Sequence, residues 1–154
     1  MPILKSAFDL PAGRLLALDL GRVRIGVAVS DEQGILATPL TVVQRRSRAE
    51  DFAALAELVR RERVVGVLAG LPLDSQGEVG PQAQLARRYG GRLAVTLPVP
   101  LAFWDESYSS VDAAELLRQS SGRVPIDAAA AAVILTSFLE ARRAGNAGSE
   151  ISHP

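Results

Sequence analysis

Cysteine is absent from the 154 residues, and histidine occurs once, at His153. Without cysteine there can be no disulfide and no thiolate metal site, and the composition fits a reducing cytosol. An excess of charge of one sign is also missing. Seventeen basic residues balance 17 acidic ones, so the chain has no global basic signature of nucleic-acid binding. Long apolar runs are lacking as well. The longest near-apolar stretch, Ile126 to Leu139, contains Asp127 and is too short to span a bilayer, so it reads as a buried helix. Between Met1 and Leu20 the residues Lys5, Asp9, Pro11, Arg14 and Asp19 interrupt any signal-peptide core. A soluble, cytoplasmic protein is expected. Lysine is nearly absent too: Lys5 is alone, and every other basic residue is arginine. GC-rich codons would produce that bias, and so would phosphate binding by planar guanidinium forks. Composition does not choose between them.

What is present is a chain of one-domain size, 48% hydrophobic. Arg14 to Leu20 is a short apolar run closing on Asp19 and predicts a buried strand. A turn at residues 21–24 leads to a second strand, Ile25 to Ser30. The turn Asp31-Glu32-Gln33-Gly34 places glycine where a positive φ is useful. A third strand, Ile35 to Val43, carries Pro39 and so belongs at an edge or an irregular stretch. Ser47-Arg48-Ala49-Glu50 has the pattern of a helix capping box, followed by Phe52, Leu55, Leu58 and Val59 at helical spacing. Val64 to Gly70 is a continuous apolar run of the kind buried in parallel sheets. After a loop over Leu71 to Gly77, Pro81 opens a second helix reaching Gly90-Gly91 or beyond. Pro98 to Trp104 predicts a fifth strand, running into Asp105-Glu106. Helices around Val111 to Arg118 and Asp127 to Arg143 complete the chain. Residues 1–144 form one domain in this reading, and 145–154 a disordered tail. The order βββ-α-β-α-β-α-α implies an α/β fold with a five-stranded mixed sheet: an antiparallel meander of strands 1–3, crossover strands 4 and 5, and flanking helices.

Three acids stand out by position. Asp19 ends the first strand, Glu106 the fifth, and Asp127 starts the last helix. Ligands of open α/β sheets gather beyond the carboxyl ends of the strands, and three hard oxygen donors suit Mg²⁺ or Mn²⁺. Each acid has a plainer reading. Asp127 alone would serve as a helix N-cap, and Asp105 and Glu106 as residues leaving a strand. Asp19 resists one: an acid set among Leu15, Leu16, Ala17, Leu18 and Leu20 must be paired, hydrogen-bonded or metal-bound.

These segments together resemble the YqgF/RuvX family, whose members are named Holliday junction resolvases and pre-16S rRNA nucleases. The resemblance lies in Leu16-Ala17-Leu18-Asp19-Leu20-Gly21, Arg24 through Asp31, Ala37-Thr38-Pro39-Leu40, Gly70-Leu71-Pro72-Leu73 with Gly77 and Gly80, Trp104-Asp105-Glu106, and Asp127 through Ala131. It covers residues 14 to 142 in order and spacing. It implies an RNase H-like fold, with Asp19, Glu106 and Asp127 as catalytic acids and metal ligands. Products with a 5′-phosphate and a 3′-hydroxyl are also implied. The chain departs from the family pattern at Arg22 and Val23, where threonine and lysine are common. Ser107 stands where arginine is usual, Asp74 where asparagine is frequent, and Gly122-Arg123-Val124-Pro125 where lysines cluster. The departures touch the phosphate grip and leave the acids intact.

On this reading two cations about 4 Å apart activate water and neutralise the leaving oxygen. Asp19 would bridge them, with Glu106 and Asp127 each completing one shell. No histidine base is required, and His153 is incidental. Arg22 and Arg24 would touch the scissile strand, and Arg87, Arg88, Arg118 and Arg123 flanking phosphates; each taken alone is also an ordinary solvated arginine. Tyr108 offers a surface for base stacking, and Asp74 and Asp105 are auxiliary acids at predicted strand ends. The expected partners are a four-way DNA junction or precursor rRNA. A symmetric cut through two strands would favour a homodimer. Two rivals are a non-catalytic module binding branched nucleic acid and an actin-like or sugar-kinase-type nucleotide-binding domain. The second rests on Asp19-Leu20-Gly21 and Gly26 but needs two such domains around a cleft.

Overall fold

The computed structural model describes residues 3–71, 80–105 and 124–152. After a 3-10 turn at Ala7–Asp9, the elements are β1 (Leu15–Leu20), β2 (Arg24–Ser30), β3 (Ala37–Gln44), α1 (Arg48–Glu62), β4 (Gly66–Leu71), α2 (Pro81–Thr96), β5 (Leu101–Asp105) and α3 (Ile126–Ser152). The five strands form one sheet in the order β3-β2-β1-β4-β5. The meander β1-β2-β3 is antiparallel, and β4 lies parallel to both β1 and β5.

The predicted third strand began at Ile35, whereas β3 starts at Ala37. The Ile35 amide is held by the Asp31 carboxylate at 2.7 Å, which keeps Ile35 in the turn. Gly34 has φ +68° there, a conformation glycine adopts without a Cβ penalty. Pro39 lies on an edge strand, where the register slips beside it between Val27 and Ala28. The fifth strand begins at Leu101 rather than Pro98, since Pro98 and Pro100 have no N–H for the ladder. Ser47 caps α1, its hydroxyl accepting from the Glu50 amide at 3.2 Å. Pro81 opens α2 as predicted, and α2 continues through Gly90-Gly91 to Thr96. The last helix continues to Ser152, through most of the stretch expected to be a tail. Extending a helix already nucleated adds one hydrogen bond per residue ordered, which is cheaper than starting one. The helix expected around Val111 to Arg118 lies outside the described residues.

β1 and β4 are apolar on both sides because both sides are covered. Leu16, Leu18, Val67, Ala69 and Leu101 join Leu55, Val59, Leu93 and Ala94 of α1 and α2 in one core cluster. Leu15, Ala17, Leu68 and Ala102 join Ile134, Leu135 and Phe138 of α3 in another. Alternation along the strand therefore decides that Asp19, in step with Leu15 and Ala17, belongs to the α3 face.

Candidate nuclease site

Asp19 is half-buried at the penultimate position of β1. Its neighbours in register are Gly26 on β2 and Gly70 on β4. Cross-strand partners share a face, so the acid is flanked on both sides by residues with no side chain. Gly26 is small for a second reason. A Cβ there would come within 1.8 Å of the Asp127 carbonyl oxygen and 3.0 Å of the Ala128 nitrogen. The first turn of α3 thus rests directly on the strand residue paired with Asp19. That close approach brings Asp127, more than a hundred residues distant in sequence, onto Asp19's face. The alanines of the helix continue the close packing, with Ala131 and Ala132 buried on Ala28.

Asp127 is the second residue of α3 and not its cap; the first intrahelical bond runs from the Ala129 amide to the Pro125 carbonyl at 3.0 Å. Its carboxylate accepts from Nε of Arg24 at 2.9 Å, with Arg24 half-exposed. Arg24, expected to touch a nucleic-acid strand, pairs here with a candidate catalytic acid. Gly21 makes the turn after β1: its amide returns to the Asp19 carbonyl at 3.0 Å, and a Cβ would lie 2.4 Å from the Arg24 carbonyl oxygen.

Trp104 on β5 stands in register with Gly70 and therefore in the row containing Asp19. Asp105 follows it in register with Leu71, one position out of phase. Glu106, Asp74, Tyr108, Arg118 and Arg123 lie outside the described residues. Among the described residues no cluster of three or more acids or histidines forms; Gly26, the strand partner of Asp19, lies under the backbone of Asp127, with Arg24 bonded to the Asp127 carboxylate.

Of the predicted arginines, Arg22 and Arg88 line a cleft of 520 Å³ at the carboxyl end of β1. Arg87 is elsewhere, its guanidinium 5.9 Å from the centroid of Phe103. The cleft also holds Arg45, Arg48, Arg92 and Tyr89, which the sequence reading missed. Arg45 is the best fixed of these. It donates to the Gly21 carbonyl at 3.0 Å, stacks 4.2 Å over the Tyr89 ring and lies 3.9 Å from the Asp51 carboxylate. Asp51 is buried, accepting from the Arg46 amide at 2.9 Å and the Tyr89 hydroxyl at 3.3 Å. Burial, reinforced by the Asp51 charge, pushes the Tyr89 phenol up to about 12. The available signal was spacing: Leu85, Ala86, Tyr89 and Arg92 lie on one helical face with Arg88 beside them.

Comparisons with known proteins agree with this architecture. A family model described as "RuvX: Holliday junction resolvase" matches residues 13–141. A protein of Anaeromyxobacter dehalogenans named "Putative pre-16S rRNA nuclease" is 46% identical over 134 residues, covering 84% of this chain and 98% of its own. One of the same name from Chloroflexus aurantiacus is 38% identical over 145 residues, 90% of this chain and 95% of its own. Among solved structures, Thermus thermophilus RuvC in complex with a Holliday junction substrate matches with a TM-score of 0.56 at 20% identity. It covers 84% of this chain and 96% of its own. The Fowlpox virus resolvase with Holliday junction DNA matches at 0.53 and 10% identity, over 83% and 97%. At such identities these structures speak to the fold, which is the RNase H-like one. The extent of the family match and the near-complete coverage of the relatives make the chain a member of the RuvX Holliday junction resolvase family.

Proposed function

We propose that this protein is a divalent-metal-dependent endonuclease that hydrolyses phosphodiesters in structured nucleic acid. Its substrates are of the two kinds its relatives' names state, a four-way DNA junction and precursor 16S rRNA. The observation that carries the proposal is the pairing of Asp19 with Gly26 under the first turn of α3, which brings the backbone of Asp127 onto the sheet face to which Asp19 alternates. Their donors are hard oxygens, matched to Mg²⁺ or Mn²⁺. Asp19 and Asp127 would hold the metal, and Glu106 supplies the third carboxylate. The support for Glu106 is its sequence position two residues after Trp104, whose row contains Asp19.

A bound divalent cation supplies the acidification of water and the neutralisation of phosphate charge on which such hydrolysis depends. The residues do the rest. The sheet fixes the main chain of Asp19 by strand pairing on both sides. Gly26, having no side chain, lets the first turn of α3 close onto the sheet beside it. Arg24 holds Asp127 in place through Nε and balances its charge when the site is empty. A homodimer in the cytoplasm, cutting two strands related by symmetry, fits this activity.

Asp19→Asn and Asp127→Asn test the proposal. Each keeps the shape and removes a charge. Both variants are expected to melt like the wild type without metal and to lose cleavage of a synthetic four-way junction and a 5′-extended 16S precursor. Asp127→Asn is expected to recover in part at high Mn²⁺, which accepts mixed nitrogen and oxygen donors better than Mg²⁺. Near-normal cutting by either variant at low Mg²⁺ would remove that residue from the site. A wild type that binds both substrates and cuts neither would make the protein a binding module.

A further inference from the structure

The cleft beyond β1 has a charge pattern that the acid pair does not explain. Arg22 comes from the β1–β2 turn, Arg48 from the start of α1, and Arg88 and Arg92 from α2; all four are exposed and line the same space. Arg45, the fifth, is already engaged with Gly21, Tyr89 and Asp51. The other four form no ion pair among the described residues. Their placement is unfavourable for the fold itself. Arg48 heads a helix, where the backbone dipole opposes a cation, and Arg88 and Arg92 are like charges one turn apart. Among the described residues, the only acid lining the cleft is Asp19. In a chain of zero net charge, four exposed arginines around one cleft are a local concentration of positive charge among the described residues.

The shape of the site indicates which anion. Phosphates of mononucleotides are commonly cradled by backbone amides of a glycine-rich loop. Here the amide of Gly21 is already used by the Asp19 carbonyl, and the available donors are side chains spread over three elements. Spread guanidiniums suit a chain of phosphates. The cleft lies toward α1 and α2, with Leu20 in its lining, whereas Asp19 alternates toward α3. Asp19 also borders the cleft at the end of β1, so one strand passing over that end reaches both the arginines and the acid.

Resting on the nuclease reading above, we propose that this cleft binds the sugar-phosphate backbone of the cut strand on one side of the scissile bond. Arg22, Arg48, Arg88 and Arg92 are the phosphate-binding residues, and Arg45 is the positioning residue that ties the β1–β2 turn to Tyr89.

The experiment compares the full-length protein with two double variants of equal charge change, Arg48→Ala/Arg92→Ala in the cleft and Arg60→Ala/Arg61→Ala on the outer end of α1. Binding of the four-way junction and of the 16S precursor is measured in EDTA between about 50 and 200 mM salt. Melting confirms that both variants fold. Loss of two phosphate contacts is expected to flatten the slope of log affinity against log salt by about 1.4–1.8 in the cleft variant, and to leave the outer variant unchanged. Substrates shortened on one side of the cut, then on the other, locate the contact. The wild type is expected to lose affinity for one truncation only, and the cleft variant to be insensitive to it. Equal slope changes in both variants, or none in either, would overturn the assignment. So would thermal stabilisation by ATP that depends on Arg48 and Arg92 while strand binding does not. A wild type that never cuts but shows the cleft-specific slope change would end the nuclease reading and leave the cleft as a backbone-binding surface.

Discussion

The strand that pairs with Asp19 and the helix turn that carries Asp127 are brought against one another by a residue with no side chain. Gly26 has the same strand register as Asp19 and the same space as the first turn of α3. Gly26→Ala would place a methyl group against the Asp127 carbonyl, and neighbouring backbone cannot move aside as a flexible side chain can. The expected cost is about 1–3 kcal/mol, the usual range for overpacking. Cleavage should fall further than stability, because α3 must lift from the strand and carry Asp127 with it. Thermal melting beside single-turnover cleavage checks this, and a variant that loses stability but cuts at the wild-type rate would sever Asp127 from the mechanism. The sequence marked Asp19 as an acid in an apolar strand, but gave no sign that Gly26 sets the distance to Asp127. Contact between chain-distant backbones has no local signature.

At the scale of elements, the Asp51–Tyr89–Arg45 network joins α1, α2 and the chain leaving β3. A tyrosine near 12 in the folded state and near 10 when unfolded favours folding fully below about pH 10. As pH rises from about 10 to about 12, the unfolded chain ionises first and that stability is lost. Tyr89→Phe should remove this alkaline limb. At neutral pH it should cost about 1 kcal/mol for the hydrogen bond to Asp51. Denaturant melts from pH 8 to 12 measure both; an unchanged alkaline limb would show that Tyr89 does not titrate as its burial requires. These elements were legible from spacing and caps, but the network was not. Asp51 reads as a first-turn helix acid, and only the packing of α1 on α2 buries it.

Across the whole molecule, long-range arginine contacts fasten the layers. Arg14 donates through Nε to the Glu62 carbonyl, through Nη1 to the Ser30 carbonyl and through Nη2 to the Glu62 carboxylate at 2.7 Å, joining β1, β2 and the end of α1. Arg142 donates to the carbonyls of Leu10 and Pro11, and Arg143 to that of Gly34, so α3 is anchored beyond the core it covers. The Arg14 hydrogen bond, foremost, holds the Glu62 carboxyl below its ordinary value, against burial that works the other way. A depressed carboxyl stabilises the fold at pH above its unfolded value of about 4.3 and loses that contribution as pH falls through the folded one. Glu62→Gln should therefore be less stable than the wild type at pH 7, by roughly 1–3 kcal/mol. The gap should narrow below about pH 4.3. A gap that persists undiminished at pH 3 would assign the effect to packing alone.

The sequence by itself determined the order of the described strands and helices, the Ser47 cap and Pro81 start of two helices, and the mixed character of the sheet. Those follow from periodicity, capping residues and glycine or proline at constrained positions, all of which act within a few residues. It also nominated Asp19, since an acid in an apolar strand is costly wherever the rest of the chain goes. Tertiary structure alone decided which face Asp19 shares, that Asp127 lies inside its helix and pairs with Arg24, and that Arg22, Arg48, Arg88 and Arg92 border one cleft. These depend on which strand lies next to which and how closely a helix can approach a glycine, quantities set by packing between segments far apart in the chain.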